Sequence, residues 1–205
     1  MLFRSFIAIF VALWLTAGSI AHAEEKSASA VIESLHVSLL AMMKDADTLG
    51  FEGRRKYMEP VVARSFNMPI IAYLSTKYIW KKFNKNQQKQ LIDTVERLSI
   101  ATYAARFKGY SGESFRVLSE EPAAQDSVFV NTELIKADGD VIVLKYLLHH
   151  SDIGWRIIDV YFLGTHSELS MRRSEYLTVF QRDGFEGLLS KLEQKTADYA
   201  AGLLQ

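Results

Sequence analysis

The sequence predicts an α+β fold: helices first, then a four-stranded antiparallel sheet, then helices again. Three observations predict it. Apolar residues recur at helical spacing up to about residue 108. The period then changes to short runs rich in Val, Ile, Phe and Tyr between 114 and 163. It returns to helical spacing after 165.

The elements follow in order. Val31, Ile32, Leu35, Leu39, Met42 and Met43 define a first helix between Ser27 and Lys44. A second runs from about Glu52 to Arg64. Pro69 disfavours helix at the residue before it and suits a first turn, which places a short helix from Pro69 to about Leu74. The aromatic-rich stretch Tyr73 to Phe83 holds another short helix or turn. The longest helix covers about Lys85 to Lys108, with Gly109 as its stop signal. Its first half carries Leu91, Ile92, Val95 and Leu98. Ile100, Tyr103 and Phe107 fall on a different side, so it is expected to lie between two apolar bodies.

Four strands come next, at Ser114 to Ser119, Ser127 to Lys136, Val141 to His150 and Trp155 to Leu163. Asp138-Gly139 and Asp152-Ile153-Gly154 are tight connections, too short for parallel crossovers. Alternation sets Val128, Val130 and Leu134 against Phe129 and Ile135. It sets Val141, Val143 and Leu147 against Ile142, Leu144, Tyr146 and Leu148, and Trp155, Ile157 and Tyr161 against Ile158, Val160 and Phe162. A sheet with one wet face should show one apolar set per strand. Here both sets are apolar, so both faces are expected to be covered, by helices or by an apolar ligand. Thr165 and Glu168 stand at capping-box spacing ahead of the stripe Leu169, Tyr176, Leu177 and Phe180. Gly184 breaks that helix, and Phe185, Leu188, Leu189, Leu192 and Tyr199 stripe the last one.

Residues 1–23 read as a cleaved signal peptide and residues 24–205 as a single α+β domain. Arg4 supplies a positive start, Phe6 to Leu15 an apolar run too short to span a bilayer, and Ala21-His22-Ala23 a cleavage site. An uncleaved anchor is the alternative reading of that segment. Its removal leaves 23 basic and 24 acidic residues, which gives no electrostatic case for nucleic acid binding. The absence of cysteine excludes disulfides and thiol chemistry.

Motifs of catalysis are missing: there is no G-x-S-x-G, no P-loop, no G-x-G-x-x-G and no H-E-x-x-H. His149 and His150 are neighbours on one strand and point to opposite faces, so they do not chelate one metal. No catalytic residue, metal site or cofactor is expected. His36 is a boundary residue of the first helix. Asp159 interrupts an apolar strand and needs hydrogen-bond donors, which the turn at Gly164-Thr165 is near enough to supply. Arg172 and Arg173 form either a solvated helix face or a site for an anionic head group.

Several stretches together carry a family resemblance. They are Gly154-Trp155-Arg156-Ile157-Ile158-Asp159-Val160, Gly164-Thr165 with Ser167, Arg173-Ser174-Glu175-Tyr176, Gly184, and Leu188-Leu189. The chain resembles the toluene-tolerance (MlaC-type) family of periplasmic lipid-shuttle proteins over about residues 28 to 200. Met43 to Asp47, Leu49 to Phe51 and Tyr110 to Glu113 with Phe115 resemble its hopanoid-associated HpnM subgroup. One departure is Thr165-His166-Ser167, where the family commonly has Val-Ser after the glycine.

The resemblance implies an antiparallel sheet and helices, NTF2-like in shape, enclosing an apolar cavity for acyl chains. It further implies a periplasmic carrier of a phospholipid or hopanoid, which is cargo and no cofactor. Implied partners are an inner-membrane ABC transporter with an MCE component and a site at the outer membrane, with transient membrane contact. The expected lining is Tyr103, Phe107, Val128, Val130, Val143, Leu144, Tyr146, Ile158, Val160 and Phe162, with Asp159, Thr165 and Glu168 as structural polar residues. Two other functions fit the same residues: a non-catalytic accessory protein of hopanoid biosynthesis or assembly, and a small pocket enzyme using Asp159 as general base.

Overall fold

The computed structural model describes residues 27–204; the expected signal peptide lies outside the described residues. The helical half comprises α1 (Ala28–Lys44), α2 (Ala46–Ser65), α3 (Met68–Ser75) and α4 (Lys85–Arg106), with a 3-10 turn at Trp80–Lys82. Ser27 caps α1 by accepting from Ala30 N, and Asn84 and Gln87 close a reciprocal capping box on α4. β1 (Ser114–Ala123), β2 (Ser127–Ile135), β3 (Val141–Ser151), β4 (Gly154–Phe162) and β5 (His166–Ser167) form one antiparallel sheet in sequence order. α5 (Glu168–Ala200) closes the chain. α2 and α5 each bend at a glycine, Gly50 (φ 58°) and Gly184 (φ 70°), where the left-handed backbone suits a residue without Cβ. Gly184 is therefore the break that the sequence predicted.

The helices cover one face of the sheet. α1 packs on β1 and β2, while α2, α3 and α5 pack on β4; α4 packs on α5, α2 and α3. The inner face holds Val130, Thr132, Leu144, Tyr146, Leu148 and Ile157, all buried. Directly paired residues share a face, so Phe129, Leu147, Lys145, Tyr161 and Val143 all lie on the opposite one. That face has no helix over it among the described residues: Val141 and Val143 remain 47% and 40% exposed. Cover of both faces by helices, one of the two expectations, is therefore not met among the described residues. The outer apolar residues are sheltered by long polar side chains instead. Lys145 Nζ lies 4.0 Å from the Phe129 ring centroid, and Phe129 meets Tyr161 edge-on at 5.7 Å.

Three further differences have local causes. β1 extends four residues past the predicted end, through Glu120, Glu121 and Pro122, because an edge strand bonds on one side and tolerates proline. β4 does not alternate throughout. A bulge between the Leu148–Ile157 and Leu147–Asp159 pairs leaves Ile158 as the extra residue, so Ile157 and Val160 both face inward. A fifth strand forms where a turn was expected, His166–Ser167 pairing with Tyr161 and Phe162.

Candidate functional site

The site lies where α3, α4, β4 and the first turn of α5 converge. The segment between α2 and α3 is fixed there by the sheet: Asn67 N donates to Ile157 O at 3.0 Å, and Phe66 forms a parallel bridge with the same strand residue. Phe66, Met68 and Ile71 then make one wall of a small cavity. Ile158 and Val160 make another, Tyr103 and Ser99 of α4 a third, and Asp159, Leu169 and the Glu168–Arg172 pair complete the lining. The open space is about 20 Å³, room for about one water. No acyl chain fits that volume as it stands.

A line of rings leads from α4 to the sheet and α1. Tyr103 packs on Phe66 (centroids 5.6 Å apart) and stacks on Phe107 (5.8 Å); Phe107 meets Phe115 at 6.3 Å. Phe115 stacks on His36 at 4.1 Å, and His36 meets Tyr146 at 5.6 Å. A file of six rings thus runs from the cavity to the centre of the sheet. Its one polar joint is the 3.2 Å hydrogen bond between His36 Nε2 and Tyr146 Oη. His36 is buried, and burial pushes its pKa down to about 4. It is a core residue rather than a boundary one. Burial raises the Tyr103 hydroxyl well above its usual range and does the same to Tyr146, so both stay neutral.

The polar side of the cavity is internally balanced. Arg172 Nη2 donates to Glu168 Oε1 at 2.9 Å and to Ser99 Oγ at 3.2 Å. Burial alone would raise the Glu168 carboxyl, but the charges of Arg172 and Arg106 outweigh it and hold the group below the usual carboxylate range. Arg173 is also occupied, its Nε donating to Leu74 O at 3.1 Å. Neither arginine belongs to a free solvated face.

Asp159 is buried and accepts from Val160 N (2.8 Å), Leu169 N (2.9 Å) and Ser167 Oγ. The two donors from outside β4, Ser167 and Leu169, lie further along the chain than the predicted Gly164-Thr165 turn. Those two tie β4 to the start of α5, and burial, outweighing the bonds, raises the carboxyl above its usual range. The predicted capping box is not formed. Ser167 is the cap, accepting from Ser170 N at 2.9 Å, because β5 carries the chain two residues past Thr165 before the helix starts. Glu168 becomes the first helical residue and turns to Arg172, while Thr165 is exposed with its hydroxyl near His166 Nδ1.

Of the residues expected to line a cavity, Tyr103, Ile158 and Val160 do so. Phe107 and Tyr146 belong to the ring file, and Val130, Leu144 and half-buried Val128 pack in the core beside it. Val143 is misplaced: it sits on the outer face. Phe162 pairs with inward Leu144 but lies at the sheet end, 49% exposed. Phe66, Met68, Ile71, Ser99 and Leu169 were not anticipated as lining. Pro69 is the sequence signal for the first three: it starts α3, and the turn before it docks on β4 through Asn67 N. Among the described residues no group of His, Asp and Glu is placed to hold a metal ion, and no helix is long and apolar enough to cross a membrane.

Comparison with known proteins agrees with this architecture. Curated proteins give no match to the chain. A solved phospholipid-binding protein from Ralstonia solanacearum, in complex with a phospholipid, shares the fold with a TM-score of 0.75 at 19% identity, over 85% of this chain and 99% of that one. The model of the family described as MlaC protein matches residues 33–194, and the chain belongs to that family.

Proposed function

We propose that the chain is a non-enzymatic carrier of a membrane lipid. The observation that carries this reading is the file of six rings running from α4 to the sheet and α1, closing on a cavity of about 20 Å³ beside the Glu168–Arg172 pair. Such a file gives an apolar path along which acyl chains would lie once rings turn aside. Turning Tyr103 and Phe107 aside exchanges ring contacts for chain contacts, and each methylene taken from water contributes roughly 0.8 kcal/mol. A lipid with two long chains gains enough from such burial to cross water inside a protein and not otherwise. The head group would rest near Glu168, Arg172 and Ser99.

The phospholipid held by the Ralstonia protein of the same fold supports a phospholipid cargo. The residues shared with the hopanoid-associated subgroup support a hopanoid as the other candidate. Membership of the MlaC family and the signal-peptide pattern support work in the periplasm, with exchange between an inner-membrane ABC transporter carrying an MCE component and the outer membrane. The hydrogen bonds that occupy both oxygens of Asp159 weigh against its use as a general base.

Native mass spectrometry of protein purified after export, with extraction of the same sample, tests the reading. The expected result is a stoichiometric lipid adduct whose occupancy falls severalfold in Tyr103→Trp, which enlarges the ring at the cavity wall. An apo mass that stays apo after incubation with phospholipid and hopanoid vesicles would overturn it.

A further inference from the structure

The segment from α3 to the start of α4 has a charge unlike the rest of the chain. Between Glu59 and Asp93 there are six basic residues and no acidic one, in a protein whose overall charge is balanced. Four of the six, Lys77, Lys81, Lys82 and Lys85, are exposed on one short connection, and none joins an ion pair among the described residues. Large rings stand among them. Tyr78 is 64% and Tyr73 45% exposed, and Tyr73 packs edge-on against Trp80 at 5.7 Å. Lys77 Nζ lies 5.0 Å from the Tyr78 ring centroid, so cations and open rings share one surface.

The patch is firmly seated. Ile79 and Phe83 are buried beneath it, and Phe83 meets Phe180 and Phe185 of α5 edge-on at 5.5 and 4.9 Å. Lys82 lies over the Phe180 ring. On the neighbouring stretch of α5, Asp183 is taken up by Arg182. The patch also adjoins the cavity: α3, which supplies Met68 and Ile71 to the cavity wall, ends at the patch, and Arg173 holds Leu74 O between them.

We propose that this connection is a docking surface for an anionic lipid bilayer, which sets the cavity wall against the membrane. The inference rests on the carrier reading for its purpose, not for its chemistry. Lysines supply attraction to anionic head groups, and tyrosine and tryptophan sit at the interface with ring inward and polar tip outward. An acidic protein partner would use the lysines but would leave the exposed rings without a role.

Sedimentation with large unilamellar vesicles, one set of phosphatidylcholine alone and one with added phosphatidylglycerol, tests this with the full mature chain. Binding is expected to the anionic set, falling steeply with salt. Each lysine near an anionic surface is worth about fivefold in affinity, so K77E/K81E/K82E should lose at least about a hundredfold. Tyr78→Ser should lose several-fold on the same vesicles while leaving the charge unchanged. Equal binding of the parent and the triple variant, or no binding to anionic vesicles at low salt, overturns the proposal. So does full binding by Tyr78→Ser, which would leave a charge patch suited to an acidic protein. Far-ultraviolet circular dichroism confirms that the variants fold. The lipid content of the triple variant is read separately by native mass spectrometry. A loaded variant that no longer docks supports the surface, and an empty parent that still docks counts against the carrier alone.

Discussion

The two faces of the sheet are nearly equal in apolar composition and opposite in fate. On β3, Leu148 is fully buried against the helices, while its neighbour Leu147 stays half-exposed on the other face beside Phe129 and Tyr161. The difference lies in what shields each side. The inner face is closed by α1 and by the turns of α2, α3 and α5 that meet β4. The outer face is roofed by its own side chains, with Lys145 over Phe129 and Asn131 donating to Ser119 and Glu121. Apolar content alone therefore does not show which face is core. Long polar neighbours at i±2 across the strands do, since their stems cover carbon while their heads stay in water.

The sharpest way to break the comparison is to truncate each leucine. Leu148→Ala leaves a cavity in a filled core and is expected to cost about 2–5 kcal/mol of unfolding free energy. Leu147→Ala is expected to cost less than about 1 kcal/mol, since its surroundings are already wet. Equal losses in urea unfolding would mean that the outer face is covered in solution by something the described residues do not include.

A second test uses protons. His36 is buried under the inner face, with a pKa pushed from 6.5 down to about 4 by loss of solvent. The unfolded chain takes up a proton at this position below pH 6.5, and the folded chain refuses it until about pH 4. Stability should therefore fall as pH drops through that window, by about 3 kcal/mol at roughly 1.4 kcal/mol per pH unit. Asp159 acts in the opposite sense. Its carboxyl is raised by burial, so the folded state holds a proton more tightly than the unfolded, and acidification restores stability there. His36→Gln keeps a partner for Tyr146 and cannot ionise. Urea midpoints at pH 7.5 and 4.5 should show a much smaller acid loss in that variant, and an undiminished loss would remove His36 from the account.

How far the sequence reveals this fold follows from the same contrast. The order of elements, the helix stop near Gly109, the Gly184 break and the Asp138-Gly139 hairpin are local chemistry, and all are present, with Gly139 at φ 89°. On β2 and β3 alternation alone separates the two faces, because no bulge interrupts the ladder between them. On β4 the bulge at Ile158 breaks the count, and a bulge depends on what the strand must avoid across space. The site was legible only in part for the same reason. Tyr103 was visible from the helix whose apolar stripe changes side, and Ile158 and Val160 from a strand of known direction. Phe66, Met68 and Ile71 reach the cavity only because Asn67 bonds to β4, a long-range pairing that no spacing encodes.

Val143 is where the two faces are most easily confused, and it offers the mildest test. It pairs with Glu133 and lies beside the Gly164 turn, 40% exposed, with Leu144 next to it pointing inward. A lysine there has room to extend its stem along the sheet, as Lys145 does over Phe129 on the same face. Val143→Lys is expected to change stability by no more than about 0.5 kcal/mol, the range of ordinary surface substitutions. Lipid occupancy in native mass spectra should not change, because no ring of the file and no cavity wall touches this position. A clear drop in occupancy would mean that cargo uses the outer face. In that event the ring file under the helices is simply a packed core, and the search for the lipid site moves to Phe129, Leu147 and Tyr161.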